Sequence, residues 1–210
     1  MINVYEYDGE FPVSVIVPLS EKRKNFFNQF TLPSIEGMGV KEIIINDNFG
    51  GACKKRNDGA KKATQPFILF SDDDLIFPVD FIKKGLETLE KNPNKGYAYS
   101  GYDGIVMDYR THPLKQNFTI PSIPFNGPQL KKGNYISTMS LLKKEYFFGF
   151  DENLKRFHDW DLWLTLLSKG IEGICVPEMK FLAFYLDEGI TSNTNNEMNA
   201  LLAIKNKHNI

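Results

Sequence analysis

Short apolar runs alternate with amphipathic stretches through the first half of the chain. Residues 13–17 (VSVIV) form a β-branched run, the pattern of a strand covered on both faces. A helical pattern over 21–30 follows and is expected to close near Pro33. A second apolar run, 42–45, ends in Asn46-Asp47-Asn48. Gly50-Gly51 then lead into a polar helix over 52–63. A third strand, 66–70, ends in Ser71-Asp72-Asp73-Asp74. Pro78 stands where the first turn of a helix tolerates proline, and that helix runs to about residue 92. Residues 97–100 read as a fourth strand. The β-α-β-α-β-α-β order predicts an α/β fold, a mostly parallel central sheet with helices on both faces.

In such sheets ligands gather beyond the carboxyl ends of the strands. The first three strands each end there in a polar cluster: Leu19 to Lys22, Asn46 to Asn48, and Ser71 to Asp74. Helix N-capping is the plain alternative for any one of them. The second half is less regular. Residues 103–134 hold Pro113, Pro121, Pro124 and Pro128 with little periodicity, and read as a lid, a binding loop or a disordered segment. A helix rich in Leu and Trp is expected over 159–168, strands over 171–176 and 181–185, and a terminal helix over 195–207. No composition break divides the chain, so residues 1–210 read as a single domain.

Charge narrows the partners. The 25 Lys and Arg against 26 Asp and Glu give a net charge of −1, unlike the basic excess of a nucleic-acid binder. No run of about 18 apolar residues is present, so no membrane span is expected. The two cysteines, Cys53 and Cys175, are too few for a disulfide scaffold, and a reducing, cytoplasmic setting is the expectation. Aromatic residues make up 13% of the chain, enough for a large core, an aromatic-lined pocket, or both.

The three adjacent carboxylates carry the most chemistry. Like charges this close repel, and one is driven toward protonation unless a cation neutralises them. Mg²⁺ or Mn²⁺ suits oxygen ligands and commonly bridges carboxylates and phosphates. Strand alternation would put Asp72 and Asp74 on one side and Asp73 on the other. Sugar-nucleotide transferases, phosphatases with an Asp nucleophile and nucleotidyltransferases all place such a cluster at a strand end. The glycine-free segment Pro18-Leu19-Ser20-Glu21-Lys22-Arg23 counts against the third. A cluster on the third strand counts against the second, although a phosphohydrolase using Asp72 stays open. A solvated acidic turn is the bland reading.

The cluster stands in a series. Val13 to Pro18, Glu42 to Asn48, Lys55-Arg56-Asn57-Asp58-Gly59, Phe67 to Asp74 with Pro78 four residues on, Gly149-Phe150-Asp151-Glu152, and His158-Asp159-Trp160-Asp161-Leu162-Trp163 follow in order. In this order and spacing the chain resembles the family 2 glycosyltransferases of the GT-A fold over about residues 12–170. The resemblance implies a nucleotide-sugar donor, expected to be a UDP-sugar, a carbohydrate or other hydroxyl acceptor, a divalent metal (Mn²⁺ or Mg²⁺) and inversion at the anomeric carbon. It implies a nucleotide-binding half over about 12–102 and an acceptor-binding half over about 103–210. By position it puts Pro18, Ser20, Lys22, Asp47, Arg56, Asp72 and Asp73 around the nucleotide sugar, with Asp47 on the base. Asp72 and Asp74 become the metal ligands, with Asp73 the alternative chief ligand. Asp159 becomes the base that takes the acceptor's proton.

Three departures from the family pattern accompany this. Ser20 stands where an aromatic often stacks on the base. His158 replaces an acidic residue and reads as structural. No histidine occupies the stretch around Phe184 to Glu188; either Glu188 or Asp187 substitutes as an oxygen ligand, or the metal is held only by the acidic cluster and the diphosphate. The absence of a Gln-x-x-Arg-Trp motif speaks against a processive polysaccharide synthase. Asp161 lies about 200° around a helix from Asp159, so the two cannot face one site. Lys54, Lys55, Lys61 and Lys62 read as a solvated helix face, His112 as a loop residue, and Trp160 and Trp163 as helix packing. A non-catalytic nucleotide-sugar or carbohydrate-binding domain, within a chain carrying further domains, is the main alternative.

Overall fold

The computed structural model describes residues 1–107, 114–186 and 197–210. His112, Asp187 and Glu188 lie outside them. Two sheets form. The larger has seven strands in the order β1 (Ile2–Glu6), β3 (Val40–Asn46), β2 (Phe11–Val17), β4 (Phe67–Phe70), β9 (Leu141–Lys143), β6 (Lys95–Tyr99) and β10 (Glu172–Cys175). Strands β3, β2 and β4 run parallel, as do β6 and β10. The short β9 pairs antiparallel with β4 and β6, which it separates, and β1 lies antiparallel on β3.

The period-two pattern of the central strands explains the layers. Val13, Val15 and Val17 of β2 face one side with Ile43 and Ile45. They meet a helical run from Glu21 to Glu36 and α4 (Phe81–Lys91), through Phe27, Ile35, Phe81, Ile82 and Leu89. Ile16, Ile44, Ile68 and Phe70 face the other side. There they meet α3 (Ala52–Ala60), α5 (Gly127–Lys132), α6 (His158–Ser168) and α7 (Glu197–His208). Helices therefore cover both faces of a central sheet, as the element order predicts. Trp160 and Trp163 are buried in α6 and donate their indole N–H groups to the carbonyls of Leu130 and Ile136, at 2.7 and 2.9 Å.

Helix α3 lies close on β2. A Cβ placed on Gly59 would stand 2.5 Å from Cγ2 of Ile16, far inside van der Waals contact. Gly59→Ala is therefore expected to cost about 1–3 kcal/mol by overpacking, measured as a lower urea midpoint at unchanged slope.

Two expectations are corrected. The first helical run does not close near Pro33. It comprises a 3₁₀ turn (Glu21–Arg23), α1 (Lys24–Phe26), a π-turn (Phe27–Thr31) and α2 (Leu32–Glu36). The wide π-turn precedes the proline, whose ring and missing N–H would otherwise break a regular helix. The region 103–134 is not an irregular loop. It holds β7 (Tyr102–Met107), β8 (Leu114–Ile120) and α5. With β5 (Leu75–Ile76) and β11 (Phe181–Leu186), β7 and β8 make a second sheet in the order β5-β11-β7-β8. Pro113 lies outside the described residues; Pro121 and Pro124 fall after β8, and Pro128 in the first turn of α5. Proline is tolerated in both settings.

Candidate active site

One cavity of about 990 Å³ lies where the carboxyl ends of β2, β3 and β4 meet the second sheet and the start of α6. Pro18, Ser20 and Arg23 line it from the segment after β2, and Gly50, Gly51, Ala52, Lys55 and Arg56 from the segment around the start of α3. Asp72, Asp73 and Asp74 come from the end of β4, Tyr102, Val106, Ile120 and Ala183 to Tyr185 from the second sheet, and His158 and Asp159 from α6. The structure thus brings Pro18, Ser20, Arg56, Asp72, Asp73, Asp74 and Asp159 together. Asp47 and Lys22 are not among the lining residues. Asp47 takes the amino group of Met1, and Lys22 is exposed.

The acidic triplet lies beyond the end of β4, where strand alternation no longer applies. Asp73 and Asp74 therefore share a partner instead of facing apart. Nη1 of Arg23 lies 2.9 Å from Oδ1 of Asp73 and 2.9 Å from Oδ2 of Asp74. The backbone N–H of Ser20 donates to Asp73 Oδ2 at 2.7 Å. Thr31, at the end of the π-turn, donates its hydroxyl to the Asp73 carbonyl and accepts from the N–H of Leu75, both at 3.2 Å. Asp72 turns the other way and accepts from the guanidinium of Arg56.

These pairings leave the charges incompletely balanced. Burial pushes the Asp73 carboxyl above its ordinary range, against the pull of Arg23 and the Ser20 N–H. Asp74 is pushed up to about 7, first by burial and then by the neighbouring Asp72 and Asp73 charges, with Arg23 opposing. An under-neutralised carboxylate in a cavity wall is chemistry that suits a cation. Among the described residues no three His, Cys, Asp or Glu side chains converge to hold a metal. Asp72 and Asp74 fit a metal only as part of a ligand set that phosphate oxygens and water complete, the usual manner for Mg²⁺.

A buried Arg56 links the acidic end to α6. Its guanidinium holds Asp72, stands 2.8 Å from Nε2 of His158 and lies 5.5 Å from the centre of the Phe150 ring. Burial, and then the Arg56 charge, lower the pKa of His158, so its neutral imidazole accepts from Arg56. That structural role is the one its sequence position suggests. The Nε of Arg56 is buried and meets no hydrogen-bond partner among the described residues.

Asp159 enters the cavity from the first turn of α6. The residue before the helix, Phe157, takes a left-handed conformation (φ 58°), a strain of about 1–3 kcal/mol that clusters at functional sites. Asp159 Oδ2 accepts from the side-chain amide of Asn134 at 2.8 Å, and Oδ1 from the N–H of Trp160 at 2.9 Å. The Ile136 N–H donates to the Asn134 Oδ1 at 3.2 Å, which fixes the amide with its NH₂ toward Asp159. Asp161 points away, as the helical spacing requires. It is buried against Lys207 (2.9 Å) and His208 (2.8 Å) of α7.

Sequence reasoning missed five contributors. Arg23 belongs to a segment of which the sequence singles out only Pro18, Ser20 and Lys22. Asn134 closed a region read as loop. Tyr102 and Tyr185, whose hydroxyls meet at 2.7 Å, lie on a sheet that the pattern did not reveal. Lys55, on a helix face whose spacing suggests solvent, instead lines the cavity and donates to the Leu19 carbonyl at 2.6 Å. Lys54 and Lys61 do stay outside, both on Asp58. Cys53 is buried, its thiol pushed up to about 11 by that burial, which fits a structural residue.

The family model described as glycosyl transferase family 2 matches residues 28–148. An "uncharacterized glycosyltransferase" of Haemophilus influenzae is 29% identical over 176 residues, 77% of this chain and 53% of that protein. The chain thus spans about half the length of this curated relative. Among solved structures, S. aureus TarS 1–349 in complex with UDP-GlcNAc superposes with a TM-score of 0.60 at 15% identity, over 93% of this chain and 66% of that one. The same protein in complex with UDP gives 0.54 at 15% identity, over 82% and 60%. At this identity the likeness is one of fold.

Proposed function

The chain belongs to glycosyl transferase family 2, and on that premise we propose that it moves a sugar from a UDP-sugar to a hydroxyl acceptor, with inversion and with Mn²⁺ or Mg²⁺ as cofactor. The observation that carries this reading is the shared cavity. A carboxylate presented for proton transfer, Asp159, and an acidic cluster with its arginines line the same 990 Å³ space. The fold relatives crystallised with UDP-GlcNAc and UDP lend support to a uridine nucleotide.

The chemistry follows from the side chains. The acceptor oxygen forms a bond to the anomeric carbon while the bond from that carbon to the diphosphate oxygen breaks. Asp159 takes the acceptor's proton, typically a 10²–10⁴-fold contribution when the base is well placed. Its two oxygens already hold the Asn134 and Trp160 donors, so the carboxylate is oriented before substrate arrives. Lys55, Arg56 and Arg23 bring positive charge to the end of the cavity where the diphosphate would leave, and preorganised charge of this kind stabilises a developing anion. A divalent cation held by Asp72 and Asp74 would supply further charge for the leaving diphosphate. Membership in this family speaks against a phosphohydrolase using Asp72, and the orientation of Asp159 speaks against a purely binding role.

The test is a thermal-shift titration with UDP, with and without Mn²⁺, at two pH values. Ligand that binds only the native state raises its stability by mass action. UDP with Mn²⁺ is expected to raise Tm more than either alone. A proton competes with a cation for Asp74, whose pKa is raised to about 7. The Mn²⁺-dependent part is therefore expected to be larger at pH 8 than at pH 6. A Tm that UDP leaves unmoved would overturn the donor, and a UDP response untouched by chelator would overturn the metal.

A further inference from the structure

Tyr102 of β7 and Tyr185 of β11 stand at diagonal corners of one face of the second sheet, since Tyr102 lies opposite Phe181 and Tyr185 opposite Val106. Between them Gly104 stands opposite Ala183. These two small residues leave room for the tyrosine rings to lean together until their hydroxyls meet at 2.7 Å. The Phe118 ring of β8 fills the remaining space. It lies where a Cβ on Gly104 would project, 2.2 Å from that position. It also packs edge-on against both tyrosines, with ring centres 6.5 and 5.1 Å away. Tyr102 stacks in turn on Phe181 at 5.1 Å. Packing thus fixes the pair before any ligand binds.

Both tyrosines line the 990 Å³ cavity. The backbone N–H of Phe184 donates to the Asp74 carbonyl at 2.9 Å, which sets the adjoining Tyr185 beside the acidic cluster. Burial raises the pKa of both hydroxyls, and nearby carboxylates add to it, Asp159 and Asp72 at Tyr102, Asp74 and Asp72 at Tyr185. The pair therefore lies along the stretch between the acidic cluster and Asp159. A sugar carried on a diphosphate at the first and attacked beside the second must occupy that stretch. Among the described residues each hydroxyl has the other as its partner. Their mutual hydrogen bond uses one of two O–H donors, so one O–H and free lone pairs remain for a ligand. A sugar hydroxyl both donates and accepts, and so matches what the pair offers.

We infer that the Tyr102–Tyr185 pair binds a hydroxyl of the transferred sugar and selects the sugar by it. This rests on the nucleotide-sugar reading above and adds the sugar class, one with a free hydroxyl on the edge that faces the second sheet. A site built to hydrogen-bond a substrate hydroxyl rejects an analogue that lacks it, because the site's own polar groups are then left without a partner.

Isothermal titration in Mn²⁺, without acceptor, tests this on wild type and on the double variant Tyr102→Phe/Tyr185→Phe, which keeps both rings. The ligands are UDP, UDP-glucose, UDP-galactose and UDP-GlcNAc, then the monodeoxy analogues of whichever donor binds most tightly. The double variant is expected to bind that donor about tenfold more weakly, while UDP keeps its affinity and Tm is unmoved. Wild type is expected to reject one deoxy analogue that the double variant binds as well as the parent donor, which identifies the hydroxyl. Equal losses for UDP and the UDP-sugar overturn the inference, since the pair would then act on the whole site. Unchanged UDP-sugar affinity in the double variant overturns it and leaves the donor reading standing. So does a wild type that binds UDP but none of the three donors, or that distinguishes none of the deoxy analogues. No binding of UDP or any UDP-sugar by wild type removes the donor reading and this inference with it.

Discussion

Asp159→Asn is expected to slow glycosyl transfer by about 10²–10⁴-fold while UDP still binds. The substitution removes the negative charge and the proton-accepting oxygen with almost no change of shape. It also has a local cost. Asp159 accepts two hydrogen bonds, from Asn134 and from the N–H of Trp160, and an asparagine offers only one oxygen. Its NH₂ must then face one of those donors, forfeiting one hydrogen bond worth about 1 kcal/mol. That loss lowers Tm slightly and is far too small to account for the rate. Turnover of UDP-sugar together with calorimetric UDP binding separates the two effects. Near-wild-type transfer with UDP still bound would remove Asp159 from the role of base.

Arg23→Met is expected to produce the largest stability change in the site, about 3–5 kcal/mol once both carboxylates are charged. Breaking a buried ion pair from one side leaves charge in a low-dielectric place without its partner. Here one guanidinium, itself only 24% exposed, serves two carboxylates exposed by 4% and 12%. The loss has a pH signature. Both carboxyls already titrate above their ordinary range in the folded protein, Asp74 at about 7, and removing Arg23 raises them further. A carboxyl raised in the folded state favours folding at acid pH. That advantage disappears as pH rises from the unfolded value toward the folded one. The penalty should therefore be small near pH 4 and larger at pH 8, where Asp74 of the intact cluster has lost its proton. Urea melts at the two pH values decide it, and a loss independent of pH would mean that Arg23 acts through the packing of its stem.

The sequence was most readable where local pattern and tertiary environment agree. The β-branched run at 13–17 and the apolar run at 42–45 are strands because both faces are buried, and their polar ends do line or flank the cavity. Asp159 and Asp161 diverge because helical spacing leaves no alternative. The legible part ends where long-range pairing decides. Residues 103–107 and 114–120 carry no strong alternation, yet β7 pairs with β8 on one side and β11 on the other. Arg23 and Lys55 gave no signal either, since the side to which a long cation turns depends on what lies across the cavity. The shared partner of Asp73 and Asp74 was hidden for the same reason, because the chain leaves strand geometry at Asp72.

Strand β9 has a consequence for how the chain assembles. Leu142 stands opposite both Ile68 of β4 and Tyr97 of β6, so neither earlier strand has its inner neighbour until residues 141–143 arrive. During synthesis β2, β3 and β4 can pair as soon as they emerge, but β4 and β6 then hold unpaired edges through the translation of some forty further residues. Unpaired edges invite association with other chains, and contacts this distant in sequence slow the closing step. The two parts of the sheet are therefore joined late, by a three-residue strand that contributes no residue to the cavity lining, before β10 adds the last edge beside β6.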